Sequence, residues 1–463
     1  MRGPRVGLVL VAVLTAGVVR SVAIPVGDTE VWWSLRLGEL LSHRAPWSPG
    51  PRLSSFATSP YAPTELLPDL VGARVEHWWG LPGLAWLYGC GLAAVVVATY
   101  LSLRRLAAAV PAALSTCLVL IAASQSLTPR AQLVSMCLLP VVVVAWLRTA
   151  DDLRPRWWLV PLTWLWSLCH GFWVVGAGVG CLVVLLLCLD RRATGREAGR
   201  LVGLAAACVA VVGLNPVGPR LLLAPLVVRE RSAYLIEWFR TDLGTPAPLA
   251  VLLMLGITVL LLLRAGAYDV VRVALVAVAA FLTWYSTRTV ALGGIVAGVV
   301  LADALRAWTA APDARPRARR RETEALLVWS GVCLAVLALV VPHTSDRVTG
   351  VPTAFDDRLD RLPSGSVVLD SYELGGWLAW RHPDLDHYID PLADAYPLAH
   401  LERYVRVTEA EPGWQATVRD SGARVAVLQS AMPLTAALTD AGWRTVDRSE
   451  GYVLLVAPPT RAT

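Results

Sequence analysis

Two carboxylates one residue apart, Asp28 and Glu30, follow the first long apolar run of the chain, which ends at Ile24-Pro25-Val26. A carboxylate at the mouth of a membrane span is costly unless it is solvated or employed. A pair in that place has the chemistry of a general base towards a hydroxyl, or of two ligands for a divalent cation (Mg or Mn) beside a phosphate. The same spacing suits a helix start, with Asp28 or Thr29 as the cap. Arginines stand at the ends of later apolar runs: Arg130 in Ser126–Gln132, Arg220 after Asn215-Pro216-Val217-Gly218-Pro219, Arg240 after Glu237-Trp238-Phe239, and Arg288 in Trp284–Thr289. A guanidinium there can fork onto phosphate oxygens or snorkel from a buried stem to the headgroups. His170, among the tryptophans of 164–173, can meet a phosphate or a sugar hydroxyl, or serve as a hydrogen-bonded structural residue.

These residues need apolar elements to hold them. Of 463 residues 56% are hydrophobic and 16% charged, with a mean hydropathy of +0.56. Several runs approach the roughly 20 residues of a spanning helix, so the chain reads as an α-helical polytopic membrane protein. Expected spans are 5–25, 82–103, 106–123, 131–147, 157–169, 172–189, 200–214, 248–263, 269–286, 289–305 and 325–342, about eleven in all. All 41 basic residues are arginine, and those in alternate short loops, ending with the cluster from Arg315 to Arg321, place the N-terminus in the cytoplasm. The first helix is read as uncleaved. The eight cysteines lie in or beside apolar runs without a CxxC pair, which suits buried thiols rather than disulfides or a metal site.

Two regions then face outward. In 26–80, residues 30–42 pattern as an amphipathic helix on the membrane surface, 46–63 as a loop and 64–80 as a second interfacial helix, with Trp32 and Trp33 as interface anchors. In 343–463, strands at 367–369, 387–389, 424–428, 443–447 and 452–456 alternate with helices at 374–381, 398–420 and 433–441, a small extracytoplasmic α/β domain. Domains are accordingly 1–342 and 343–463. Gly375 and Gly376 would admit a close backbone, and Trp377 offers a stacking face for sugar, or these residues form a structural turn. No GxSxG, HExxH or Walker pattern occurs.

Asp28-Thr29-Glu30-Val31-Trp32-Trp33, Pro129-Arg130-Ala131-Gln132, Trp166-Ser167-Leu168-Cys169-His170-Gly171, Leu214-Asn215-Pro216-Val217-Gly218, Glu237-Trp238, Arg288, Glu373–Trp380 and Tyr388-Ile389-Asp390 occur in that order. Together they resemble an uncharacterised branch of the bacterial C-type (GT-C fold) glycosyltransferases, polytopic enzymes that use polyprenyl-phosphate sugars. The resemblance implies Asp28 as catalytic base with Glu30 as second acid. It implies His170, Glu237 and the basic residues Arg130, Arg220, Arg240 and Arg288 as substrate-binding, and Gly375, Gly376, Trp377 and Asp390 as acceptor-binding. Related sequences carry Asp-Gly-Arg where this chain has Asp390-Pro391-Leu392, and Asn where it has Leu168.

The function implied is inverting transfer of a hexosyl or pentosyl group from a polyprenyl-phosphate donor to a glycan or protein acceptor outside the plasma (inner) membrane. Membrane lipid is a partner and nucleic acid is not. No cofactor is required, and a divalent cation at Asp28/Glu30 is admitted. A lipid or glycolipid transporter and a non-catalytic glycan-binding membrane protein are the alternatives. Against transport, the paired acids sit at a surface and no inverted repeat is visible.

Overall fold

The computed structural model describes residues 3–45, 47–234, 238–266, 269–309, 318 and 320–459. Glu237 and the arginines at 315, 317 and 319 lie outside the described residues. By its contacts the chain forms two compact units. Met1–Ile24, Ala85–Pro225 and Leu235–Pro342 make up the first, and Pro25–Leu84, Leu226–Tyr234 and His343–Thr463 the second. The segment 26–80, assigned above to the membrane domain, thus folds with 343–463.

The first unit is helical. Among the described residues six helices are long and apolar enough to cross a membrane: Leu66–Leu103, Gln132–Asp152, Gly195–Leu214, Pro246–Ala265, Thr287–Arg306 and Arg320–Thr344. Ala109–Ala122, Trp173–Leu189 and Val270–Tyr285 are apolar but shorter. Leu66–Leu103 starts in the second unit and is broken at Gly80, whose φ of 65° and ψ of −162° only glycine adopts cheaply. The expected pair 157–169 and 172–189 consists of Leu159–Ser167, nine residues, and Trp173–Leu189.

Small residues let the helix Val290–Thr309 sit inside the bundle. A Cβ on Gly294 would stand 2.5 Å from Ala122 Cβ, and one on Gly298 2.3 Å from Val119 Cγ2. Such close approach replaces the missing hydrophobic drive between helices in lipid. Charges then lock the arginine-rich ends. Arg272 bonds Asp303 at 2.6 Å and Asp151 at 3.0 Å, Arg192 bonds Asp269 at 2.7 Å, and Arg306 bonds Asp303 at 3.0 Å. Elsewhere Arg104 forks onto Glu322 at 2.9 and 3.1 Å, and the Tyr100 hydroxyl donates to the same carboxylate at 2.5 Å, all buried.

Among the described residues the second unit holds five strands: β1 Val367–Asp370, β2 Asp386–His387, β3 Val425–Gln429, β4 Arg444–Ser449 and β5 Tyr452–Val456. Their order is β2-β1-β3-β5-β4. Helix crossovers make β2, β1 and β3 parallel, and the tight turn at Glu450-Gly451, both with positive φ, makes β4 and β5 an antiparallel hairpin. The helix expected over 398–420 is two, Leu398–Thr408 and Trp414–Ser421, parted around Pro412-Gly413, where Gly413 has φ 96°.

Residues 29–42 do form a helix, Thr29–Ser42, but its apolar face is covered by protein. Val31, Trp32, Trp33, Leu35, Leu37, Gly38 and Leu41 are buried. Trp32 packs edge-on to Trp377 at 5.0 Å and against Trp380 at 5.1 Å. The reading of Trp32 and Trp33 as membrane-interface anchors is therefore corrected: they are core of the second unit. Their apolar periodicity was sound, but periodicity does not tell lipid from protein as the covering medium.

The loop after this helix lacks regular structure yet is pinned along its length. Gly50 N–H donates to the Tyr61 carbonyl at 2.9 Å, and the Tyr61 hydroxyl returns to the Pro51 carbonyl at 2.8 Å. Ser54 Oγ donates to the His387 carbonyl at 2.6 Å, Ser55 N–H to Asp386 Oδ1 at 2.9 Å, and the Phe56 ring lies 4.9 Å from Tyr388. Arg231 joins the same unit through bonds to the carbonyls of Ala393 and Tyr396.

Candidate active-site residues

In the first unit a short relay fixes His170. Trp166 Nε1–H donates to Ser135 Oγ at 2.7 Å, which leaves the Ser135 hydroxyl hydrogen for His170 Nδ1 at 3.1 Å. Phe172 N–H donates to the same nitrogen at 3.2 Å. A ring nitrogen that accepts two donors carries no hydrogen, so Nε2 carries it. Burial, and then the charge of Arg288, push the His170 pKa down to about 3. The ring is thus neutral, with its hydrogen on Nε2, and it is buried.

Two arginines gather on neighbouring stretches of this unit. Thr287 N–H donates to the Phe239 carbonyl at 3.2 Å, tying 238–240 to 286–289. The Arg288 guanidinium lies 5.9 Å from the Trp238 ring centre, and that of Arg240 lies 5.2 Å from Trp284. Cation–π attraction to these aromatic faces orients both guanidinium groups. Asn215 completes the frame. Its Oδ1 accepts from Val217 N–H at 2.9 Å and Gly218 N–H at 3.1 Å, and its Nδ2 donates to Ser167 Oγ at 3.2 Å. Gly218, at φ 87°, turns the chain there.

Of the four arginines singled out from sequence, the geometry brings together Arg240 and Arg288, with His170 within reach of Arg288's field. Arg130 stands on another turn, closed by Gln132 Nε2 donating to the Ser126 carbonyl at 2.9 Å. Arg220 is exposed on the short turn Pro219–Leu222. Ser135 was missed, because a serine inside an apolar run carries no signal until its partner across the bundle is known.

In the second unit Asp28 is the N-cap of the helix Thr29–Ser42, Oδ1 accepting from Glu30 N–H at 3.0 Å. The chain enters this cap along a fixed path: Val26 N–H donates to the Arg347 carbonyl at 3.0 Å and Thr349 N–H to the Val26 carbonyl at 2.9 Å. A Cβ on Gly27 would meet Thr349 Oγ1 at 2.7 Å. Capping orients the carboxylate, and both Asp28 and Glu30 are half-buried rather than enclosed. Among the described residues no three His, Cys, Asp or Glu side chains group to hold a metal. Asp28 and Glu30 do not by themselves make up a cation site.

Gly375, Gly376, Trp377 and Asp390, expected from the resemblance to bind the acceptor, are all buried in the second unit. A Cβ on Gly375 would stand 1.8 Å from the Ile389 carbonyl oxygen, and one on Gly376 3.0 Å from Trp33 N. The two glycines let the helix Gly375–Arg381 press against the strand-end turn and the helix Thr29–Ser42. Trp377 is 3% exposed against Trp32. Asp390 Oδ2 accepts from His387 Nε2 and the Tyr396 hydroxyl, each at 2.8 Å, and Oδ1 accepts from Leu392 N–H at 2.7 Å.

No protein-family model and no curated protein matches this chain. Solved structures do. The chain is similar to the oligosaccharyltransferase AglB from Archaeoglobus fulgidus in complex with an inhibitory peptide and a dolichol-phosphate, at 12% identity and a TM-score of 0.58, over 91% of this chain and 69% of that one. It is similar to ArnT from Cupriavidus metallidurans bound to undecaprenyl phosphate, at 17% identity and a TM-score of 0.53, over 99% of both chains. A further structure of the Archaeoglobus fulgidus oligosaccharyltransferase, in complex with Zn and sulfate, matches at 14% identity and a TM-score of 0.50, over 90% of this chain and 68% of that one. The likeness establishes the fold, the GT-C fold that the sequence resemblance implied.

Proposed function

We propose that this chain is a membrane glycosyltransferase that moves a sugar from a polyprenyl-phosphate donor to an acceptor hydroxyl on a glycan or protein outside the membrane. One observation supports this most: two cations held on aromatic rings, one of which acts electrostatically on His170, in a fold shared along 99% of both chains with a structure bound to undecaprenyl phosphate. Arg288, with Arg240, forks onto the donor phosphate, and His170 helps to bind the donor. Asp28 takes the proton of the acceptor hydroxyl. The acceptor oxygen bonds to the anomeric carbon as the bond from that carbon to phosphate oxygen breaks, and polyprenyl phosphate leaves with the electron pair and the negative charge. Configuration inverts in this single displacement, and the cations compensate the charge that develops on the leaving phosphate. The arginine distribution favours a cytoplasmic N-terminus and an outward second unit.

The test separates binding from chemistry. Undecaprenyl phosphate is titrated into purified protein, and glycan product is followed in cells. Arg288→Ala should weaken binding by roughly 10- to 100-fold, the worth of a lost charge-assisted bond. Asp28→Asn should bind as the parent does and make no product. Parent-like binding by Arg288→Ala would remove the phosphate site. Undiminished product from Asp28→Asn would remove the base and favour a carrier or a receptor.

A further inference from the structure

The pinned loop after the helix Thr29–Ser42 carries a cavity that the chemistry above does not use. It has a volume of about 410 Å³ and is lined by Arg44, Gly50, Arg52, Thr58, Ser59 and prolines, with no carboxylate among the described lining residues. That volume falls in the range of sites for single small molecules. Both arginines are exposed, and among the described residues neither is in an ion pair. Arg44 follows directly on a helix C-terminus, where the helix dipole favours a cation, and its field reaches Tyr61, the ring lying against Gly50. A loop of this length without strands or helices is ordinarily mobile or functional. Here the Gly50–Tyr61, Tyr61–Pro51, Ser54–His387 and Ser55–Asp386 bonds hold it in one shape. The cost of ordering a binding loop is thereby met before any ligand arrives.

We propose that this cavity binds a phosphate-bearing sugar unit, its dianion between the two guanidinium groups and its hydroxyls on Thr58 and Ser59. Two uncompensated cations match a phosphate monoester better than a single carboxylate. The helix Thr29–Ser42, of 14 residues and so roughly 21 Å long at 1.5 Å per residue, stands between Asp28 and Arg44. The bound unit is therefore not the reacting one. It is a distant part of an extended, phosphate-bearing acceptor, a statement that rests on the glycosyl-transfer reading, whereas the binding itself does not.

Purified full-length protein is treated with phenylglyoxal in neutral detergent, and modified arginines are mapped by mass spectrometry. Glucose 1-phosphate should protect Arg44 and Arg52 at least fivefold, and glucose should not. Binding of glucose 1-phosphate should fall at least tenfold in R44A/R52A, which should keep the parent's melting temperature and its affinity for undecaprenyl phosphate. Protection only in nanodiscs containing phosphatidylglycerol would overturn the sugar assignment in favour of a lipid phosphate. Absence of protection in every arm would overturn the site. Loss of undecaprenyl phosphate binding in Arg288→Ala, by contrast, bears only on the donor site.

Discussion

Trp32 stands edge-on to Trp377, their ring centres 5.0 Å apart and their planes at 80°, and neither ring is more than 3% exposed. Residues from the two ends of the chain thus share one core. Trp32→Ala should cost the second unit about 3–5 kcal/mol, the usual range for removing a buried tryptophan. Thermal denaturation of the purified protein checks this, and an unchanged melting temperature would contradict the packing.

Ser135 is expected to matter to donor binding without touching the donor. Ser135→Ala leaves Trp166 N–H without its acceptor and His170 Nδ1 with one donor fewer. Affinity for undecaprenyl phosphate should drop about 5- to 10-fold, the worth of one hydrogen bond. Ser135→Thr, which keeps the hydroxyl, should restore most of it. Equal loss in both variants would point to packing instead.

The second unit should be less stable in mild alkali than in mild acid. Burial pushes the Asp370 carboxyl up to about 8. Burial alone would lower His387, but the hydrogen bond and charge of Asp390 outweigh it and raise its pKa. The folded unit therefore keeps protons that the unfolded chain gives up, on Asp370 from about pH 4 and on His387 from about pH 6.5. Stability from both groups is present at low pH and is lost as pH rises through their folded pKa values. Melting temperature should fall between pH 6 and 8.5, and Asp370→Asn should flatten the slope. A melting temperature that rises over that window would refute the assignment.

Glu322 holds two helices of the first unit through Arg104 and Tyr100, in a pair whose side chains are 7% and 8% exposed. Removing one partner of a buried pair strands the other charge, at about 3–5 kcal/mol. Glu322→Ala should therefore sharply shorten survival of the protein in detergent at raised temperature. Tyr100→Phe, which removes one hydrogen bond and no charge, should cost about 1 kcal/mol.

Much of this was legible in the sequence. Apolar runs long enough to span, and short strands alternating with helices after 343, led to helices and a sheet close to where they stand. Asp28 as a cap was legible too, since its spacing to the following apolar residues is that of a helix start. What covers an apolar face was not legible. Trp32, Trp33 and Trp377 look alike as interface anchors, sugar platforms or core, and only their mutual contact decides. Gly375-Gly376 likewise reads as a place where something comes close. The structure shows that the visitor is the chain's own backbone.

Because residues 25–84 pack with 343–463, the order of synthesis sets a waiting time. Some 260 residues separate the two pieces, and at roughly 5–20 residues per second the first waits about 10 to 50 seconds for its partner. Through that interval the edge later made by β2 does not exist, and Ser54, Ser55, Trp32 and Trp33 have nothing to close against. The early segment therefore lacks its folding partner until the later strands are made. Its resistance to protease should then appear late and all at once, when β5 leaves the ribosome, rather than as the N-terminus emerges.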